Sequence, residues 1–314
     1  PRHVNPWLIL AVLLGSAGLS AAVVAVSIRI SHRLGVYDHP DAERKTQVNP
    51  IPKLGGVAVV AAFTVSVMII LLATERTEQL SLALTALVPA LVAAFVGFLD
   101  DRQHLNPYLR LALQAGVGVL AFALGTRLSV TGTGWVDGAI LVLWVMIVIN
   151  GTNLLDNSDG LAGSTVFVAA LGSSIVAYMY GQFLVCFMGV ALAGVAAGFL
   201  WHNWFPAKVY MGDAGAYFLG AMLAILTVRL RPESAPAGVG VAIAILLVLL
   251  PLVDTAYVVI KRLRMGIHPF TAGRDHMSHV LQDRGASVPR SVIFLQLLGI
   301  SGVIAAVALA SVYA

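Results

Sequence analysis

Charge is the scarcest thing in this sequence. Asp, Glu, Lys and Arg make up 11% of its 314 residues, while hydrophobic residues make up 59%; soluble domains carry about 25% charged residues. With a mean hydropathy of +0.90, a soluble globular domain is excluded and a polytopic membrane protein remains. Cysteine is nearly absent too. Cys186 stands alone inside an apolar run, which excludes an intrachain disulfide and any zinc or iron–sulfur site built on paired thiols. It is expected to be a small buried or lipid-facing hydrophobe. The first apolar run is long and lacks a basic leader, so no cleavable signal peptide is expected, and the initial Pro1 suggests trimming ahead of it. No repeat, low-complexity tract or soluble domain interrupts the chain, so residues 1–314 read as one membrane-embedded domain. The net charge of +4 fits topology and anionic headgroups rather than nucleic acid.

A membrane-crossing helix needs about 20 mostly apolar residues. That rule gives an all-α polytopic protein with about ten spans, near 7–28, 55–73, 81–99, 108–125, 138–154, 160–180, 183–201, 214–230, 237–260 and 290–313. The 214–230 span is short. Segment 237–260 contains Pro251 and Asp254, which predicts a break or a projection beyond the bilayer. With ten spans both termini share one side, where only Arg2, Arg76, Arg127, Arg229 and Arg231 of the 19 Lys and Arg residues fall. The other 14 lie in the opposite loops, and basic loops are cytoplasmic. Asp38, Asp100, Asp101, Asp156, Asp159, Asp213, Asp254 and Asp275 share that side. Polar chemistry gathered on one face argues against a channel or transporter, whose sites lie near mid-membrane. It argues for an active site in cytoplasmic loops.

The stretch that organises the rest is Asn150–Gly163, which sets two aspartates and three asparagines between apolar runs. A charge at membrane depth costs at least ~2.5–3.5 kcal/mol, so carboxylates there call for a cation. Asn153, Asp156 and Asp159 stand at i, i+3 and i+6, roughly one face if helical; the alternative is N-capping of the following helix. Asp100-Asp101 can hold a divalent cation or divide base and support roles, or be a solvated helix end. Arg110 follows as a plausible phosphate ligand.

Arg44-Lys45 either bind phosphate or anchor their loop, and Gly55-Gly56 beyond them permit close backbone approach. Asp213, between Gly212 and Gly215, suits a metal-bound phosphate or forms a simple turn. His276 and His279 could bind a metal, but zinc wants more N or S ligands and magnesium prefers oxygen. With Arg274 they read as phosphate donors; the alternative is the polar face of an amphipathic helix.

Taken together, these loops resemble the polyprenyl-phosphate N-acetylhexosamine-1-phosphate transferases. That family includes the bacterial initiators of O-antigen, enterobacterial common antigen and wall teichoic acid synthesis. Its cousins are the peptidoglycan phospho-N-acetylmuramoyl-pentapeptide translocase and the dolichyl-phosphate enzyme. Five motifs between Gly35 and Gly285 follow the family's order. They are Arg44-Lys45 with Pro50–Gly56, Asp100-Asp101, Asn153–Ala162, Asn203 with Pro206-Ala207 and Met211–Asp213, and Arg274–His279. Arg110 replaces a family lysine, Ala216 a serine, and Ser278 a third histidine. The translocase has three consecutive histidines, so the initiator branch is favoured.

The resemblance implies transfer of N-acetylhexosamine 1-phosphate, most commonly GlcNAc 1-phosphate, from a UDP-sugar to undecaprenyl phosphate in the lipid bilayer, releasing UMP. This would be the first membrane step of envelope polysaccharide or teichoic acid synthesis, at the bacterial inner membrane. The rivals are the pentapeptide translocase and, outside enzymes, a nucleotide-sugar or lipid-carrier transporter. Magnesium, with manganese as a substitute, would sit on Asp213 and Asn153. Asp100 would deprotonate or orient the lipid phosphate, with Asp101 supporting metal or water, and Asp156 and Asp159 would hold nucleotide or outer-shell waters. Lys45, Arg110, Arg274, His276 and His279 would bind phosphates, and Asn203 would contact substrate. Direct attack is favoured over an aspartyl-phosphate. A nucleic-acid partner is not expected, and a homodimer rests on the resemblance alone.

Overall fold

A computed structural model describes residues 5–40, 49–230, 235–271 and 273–314. Among these run α1 (Pro6–Leu34), the strands β1 (Tyr37–Asp38) and β2 (Ile51–Pro52), α2 (Gly55–Ala73), a 3-10 turn at Thr77–Gln79, and α3 (Leu80–Gln103). Then come α4 (Pro107–Ala123), α5 (Gly134–Leu155), α6 (Leu161–Met179), α7 (Phe183–Asn203) and α8 (Gly212–Val228). The chain closes with α9 (Ala237–Leu247), α10 (Leu249–Arg264), α11 (Met277–Asp283) and α12 (Val288–Ser311). Starts are written locally. Asn5 and Asn106 accept the N–H of Trp7 at 3.0 Å and of Tyr108 at 2.9 Å. A proline follows each cap, where a missing N–H leaves nothing unpaired.

All ten expected spans are helical. Among the described residues seven helices are long and apolar enough to cross a bilayer, or eight if the bent pair α9–α10 counts as one span. The expected ten is therefore reached only if α4 and α8, each 17 residues and apolar, cross as well. The anticipated break is real: α9 and α10 meet at 77°. Pro251 has no N–H to offer the carbonyl of Leu247 four residues back, so the ladder cannot run through. The chain bends at Val248 instead.

Both α7 and α8 are buried along most of their length, and α7 packs closely against α1. Small residues allow this. A Cβ added to Gly194 would lie 2.5 Å from the Leu13 carbonyl oxygen, and one on Gly198 would lie 2.2 Å from that of Ala17. The facing side of α1 is a line of Ser16, Ser20, Val24, Ser27 and Ser31, and Ser20 Oγ donates to the Val195 carbonyl at 2.8 Å. Lipid tails are as apolar as leucine, so close approach and hydrogen bonds hold such helices together.

The ribbon β1–β2 pairs Tyr37 with Pro52 and Asp38 with Ile51. Tyr210 N–H donates to the Pro52 carbonyl at 2.8 Å, and Gly55 and Gly56 N–H donate to Tyr210 and Met211 carbonyls at 3.2 and 3.0 Å. The ribbon, the start of α2 and the strand-like run into α8 thus form one backbone-bonded unit. A Cβ on Gly56 would fall 2.3 Å from the Met211 oxygen, which is why glycine stands there.

Candidate active site

The loop motifs meet at one end of the bundle around a cavity of about 330 Å³. Its walls include Asp38, Lys53, Asp101, Asp156, Asn157, Ser158, Asp159, Asn203, Tyr210, Gly212, Asp213 and His279. Asp213 lies in the first turn of α8, where the positive end of the helix dipole favours a carboxylate. Asn153, in the last turn of α5, donates from Nδ2 to Asp213 Oδ1 at 2.6 Å. Asp101 accepts the Ala214 N–H at 3.1 Å and pairs with Lys53 Nζ at 2.8 Å.

The expected stripe of Asn153, Asp156 and Asp159 does not lie on one helix. The α5 helix ends at Leu155, Asp156 caps it, and the chain turns before α6. Nor do the aspartates cap α6, whose N-cap is Gly160 at φ 76°. The turn instead fans the three side chains toward different partners. Asn153 takes Asp213, Asp159 Oδ2 accepts the Ala207 N–H at 2.9 Å, and Asp156 lines the cavity between them. Burial, reinforced by the charges of Asp213, Asp101 and Asp159, pushes the Asp156 carboxyl well above the ordinary carboxylate range. Burial also raises Asp159, against the pull of the Ala207 N–H.

Asn203 is 2% exposed and serves as a clamp. Its Oδ1 accepts from Gly160 N at 3.0 Å and its Nδ2 donates to Val209 O at 2.9 Å. It ties the acidic turn to the segment that leads into Asp213.

Several expected site residues are placed elsewhere. Asp100 is 5% exposed and does not line the cavity. Its oxygens accept from Tyr217 OH at 2.7 Å and Leu105 N at 3.0 Å, with Arg110 Nη1 at 3.6 Å. An aspartate so placed organises the α3–α4 corner. Arg110 shares that corner, outside the cavity wall. His276 is buried against Asp254, Nδ1 to Oδ2 at 2.8 Å, and Asp254 also accepts the Met277 N–H at 2.9 Å. The rings of His276 and His279 are 6.2 Å apart, but only His279 reaches the cavity. Burial, with the Arg274 guanidinium nearby, holds the His279 imidazole below the usual histidine pKa. Arg274, next to the wall residue Gly273, pairs with Asp283 at 3.6 Å. Arg44 and Lys45 lie outside the described residues.

Ser278, which stands where the family's motif has a third histidine, is fully buried and donates to Asn157 Oδ1 at 2.6 Å. With Gln282 Nε2 donating to Ser158 Oγ at 3.1 Å, α11 is stitched directly to the acidic turn. Asp38, Lys53, Tyr210, Asn157 and Gln282 are wall residues to which the sequence assigned no role of their own. For the first two the only signal was a charge beside a proline-rich run.

No three His, Cys, Asp or Glu side chains among the described residues are close enough together to cage a metal. Magnesium needs no such cage, since it keeps waters and takes one or two carboxylates plus substrate phosphates. Asp213 and Asn153, in contact and oxygen-bearing beside Asp101 and Asp156, fit that requirement.

A profile of glycosyl transferase family 4 matches residues 83–231. The chain is 29% identical over 293 residues to a probable undecaprenyl-phosphate N-acetylglucosaminyl 1-phosphate transferase of Bacillus subtilis, covering 90% of this chain and 80% of the relative. It is 32% identical over 218 residues to the phospho-N-acetylmuramoyl-pentapeptide-transferase of Streptococcus pyogenes, and 33% over 216 residues to that of Streptococcus pneumoniae. These two matches cover 63% of this chain and 65% of each relative, just under two thirds of their length. The paired aspartates of α3, the α5–α6 turn and the start of α8 all fall inside the stretch that is similar to glycosyl transferase family 4.

Proposed function

We propose that this protein transfers N-acetylglucosamine 1-phosphate from UDP-GlcNAc to undecaprenyl phosphate and releases UMP, at the cytoplasmic face of a bacterial inner membrane. The observation that carries this reading is the near full-length match to a relative named for that reaction. The pentapeptide-transferases match over a shorter stretch. The cavity supports it chemically, since it gathers five aspartates from the loops that read, by sequence, as the basic side of the membrane. A basic membrane side is the cytoplasmic one.

An oxygen of the lipid phosphate attacks the β-phosphorus of the donor. The new P–O bond forms as the bond to the bridging oxygen breaks, and that oxygen leaves with UMP. Both reactants are anions, so the protein's task is alignment and charge compensation. A magnesium ion on Asp213 and Asn153 would supply neutralisation of the diphosphate. Asn153 fixes the Asp213 carboxylate, and Asn203 sets the distance between the acidic turn and α8. Asp100 acts through Tyr217 and Arg110, as a positioning residue. Asp156 and Asp159 face the nucleotide side of the cavity, and His279 offers a neutral imidazole as donor.

The test is UMP release and lipid-linked product from purified protein in detergent with undecaprenyl phosphate, magnesium and UDP-GlcNAc. Turnover is expected, to stop with EDTA and to be lost in Asp213→Asn. Turnover with UDP-MurNAc-pentapeptide and none with UDP-GlcNAc would move the protein to the translocase branch. Flux of nucleotide-sugar across vesicles without UMP would replace catalysis with transport.

A further inference from the structure

The cavity is lopsided in charge. Its described wall carries five carboxylates, from Asp38, Asp101, Asp156, Asp159 and Asp213, and a single Lys or Arg, Lys53. A site built to receive phosphates at that density of negative charge makes its one ammonium conspicuous.

Lys53 is held in place by its backbone. Its N–H reaches the Val36 carbonyl at 3.4 Å, the preceding Pro52 carbonyl accepts from Tyr210, and Gly55 donates back to Tyr210. The side chain then crosses Gly212, where an added Cβ would sit 3.3 Å from Lys53 Cε and 2.8 Å from Asp101 Oδ2. It ends 2.8 Å from Asp101 Oδ1. Both partners remain within reach of solvent, 26% and 14% exposed, so the pair is one that another anion can displace. Asp101 does not depend on it, because the Ala214 N–H holds its other oxygen. The ammonium stays charged, since Asp101, Asp213 and Asp38 outweigh the cost of burial and hold its pKa above the usual value. It has three donors on a flexible stem, enough to keep one carboxylate while meeting a phosphate oxygen.

We propose that Lys53 is a phosphate-binding residue of the transfer reaction, its ammonium exchanging the ion pair with Asp101 for an oxygen of the phosphate groups that meet in the cavity. This rests on the reaction proposed above. The phosphate comes from the UDP-sugar or from the lipid carrier, and kinetics separate the two.

The experiment compares wild type, Lys53→Met and Lys53→Arg, varying UDP-GlcNAc and undecaprenyl phosphate in turn, with the unfolding temperature of each protein as a control. Loss of one charge-assisted contact predicts a KM about tenfold or more higher for one substrate in Lys53→Met, the other KM within about twofold, and substantial recovery in Lys53→Arg. A rise confined to UDP-GlcNAc assigns the lysine to the diphosphate; a rise confined to the lipid assigns it to the acceptor. If Lys53→Met keeps both KM values and kcat, or loses kcat and unfolding temperature together with both KM values unchanged, Lys53 is only a counter-ion and the proposal is overturned. Wild-type protein that never releases UMP overturns the reaction and not the lysine. The lysine is then read by calorimetry of UMP binding in EDTA, where markedly weaker binding by Lys53→Met keeps the proposal and equal binding removes it.

Discussion

The geometry of the site depends on a glycine in α3. Gly97 of α3 packs against the first turn of α8, and a Cβ there would lie 2.2 Å from the Asp213 carbonyl oxygen, 2.5 Å from its carbon and 2.7 Å from the Ala214 nitrogen. All three are backbone atoms, so no side chain can swing aside. Ordinary contact begins at 3.4 Å, 1.2 Å beyond the first of these distances, so Gly97→Ala must push α3 and α8 apart by about that much. Asp101 lies one turn further along α3, and its 3.1 Å bond to Ala214 N would be stretched beyond hydrogen-bond range. Overpacking of this kind costs roughly 1–3 kcal/mol, and a misplacement of about 1 Å at a reacting centre costs on the order of a hundredfold in rate. The expected outcome is a protein that still inserts and folds, with a lower unfolding temperature and UMP release down about a hundredfold. Gly116→Ala is the control, because nothing lies within 4 Å of its added Cβ. Turnover by Gly97→Ala within twofold of that control would refute the claim that the α3–α8 contact sets the geometry of the site.

Three further outcomes are expected. Asn203→Ala removes the clamp and leaves the Gly160 N–H and Val209 carbonyl without their partner, at about 1–3 kcal/mol for each buried group left unpaired; an unchanged unfolding temperature would contradict the clamp. Tyr217→Phe deletes the 2.7 Å bond to Asp100, worth about 1.5–3 kcal/mol for a charged acceptor. It should slow turnover while leaving nucleotide binding intact, and a selective loss of UMP affinity would count against a positioning role. Asp156, with its proton held above the usual range by burial and like charge, binds protons in the folded protein that the unfolded chain has released. Stability without metal should therefore fall as pH rises from about 4, the ordinary aspartate value. Asp156→Asn should flatten that slope in EDTA, raise the unfolding temperature at neutral pH and abolish turnover; an unchanged slope would assign the pH dependence to other groups.

The membrane-length helices were legible because a bilayer demands long apolar runs, whereas the short α11 left no such signal. The α9–α10 break was legible through Pro251, although the bend falls at Val248, where the missing donor is felt rather than where the ring sits. The acidic loops were legible as a group because charge is so rare in this chain. Their internal geometry was not. Periodicity put Asn153, Asp156 and Asp159 on one helix, but Gly160 at positive φ turns the chain there. Asp100 and Asp101 are neighbours in sequence and look equivalent, yet one faces the Tyr217–Arg110 corner and the other the cavity. His276 and His279 differ in the same way, because Asp254, from a helix more than twenty residues earlier, claims only the first. Lys53 stands inside the Pro50–Gly56 run, where nothing in the sequence sets its charge apart. Its role depends on a ribbon of two residues per strand, too short to leave a pattern.

The seam between α1 and α7 has a consequence for how such a chain can change over generations. Gly194 and Gly198 press on the Leu13 and Ala17 carbonyls, so almost any mutation along that line adds atoms where none fit. The opposite side of α1, with Trp7, Leu10 and Leu14 exposed, faces outward from the bundle and asks only for apolar side chains. One helix thus carries two molecular clocks, a slow one on the side of small residues and a fast one on the side of large ones. Random mutagenesis of α1 should recover that asymmetry, with tolerated changes crowding onto the leucine face.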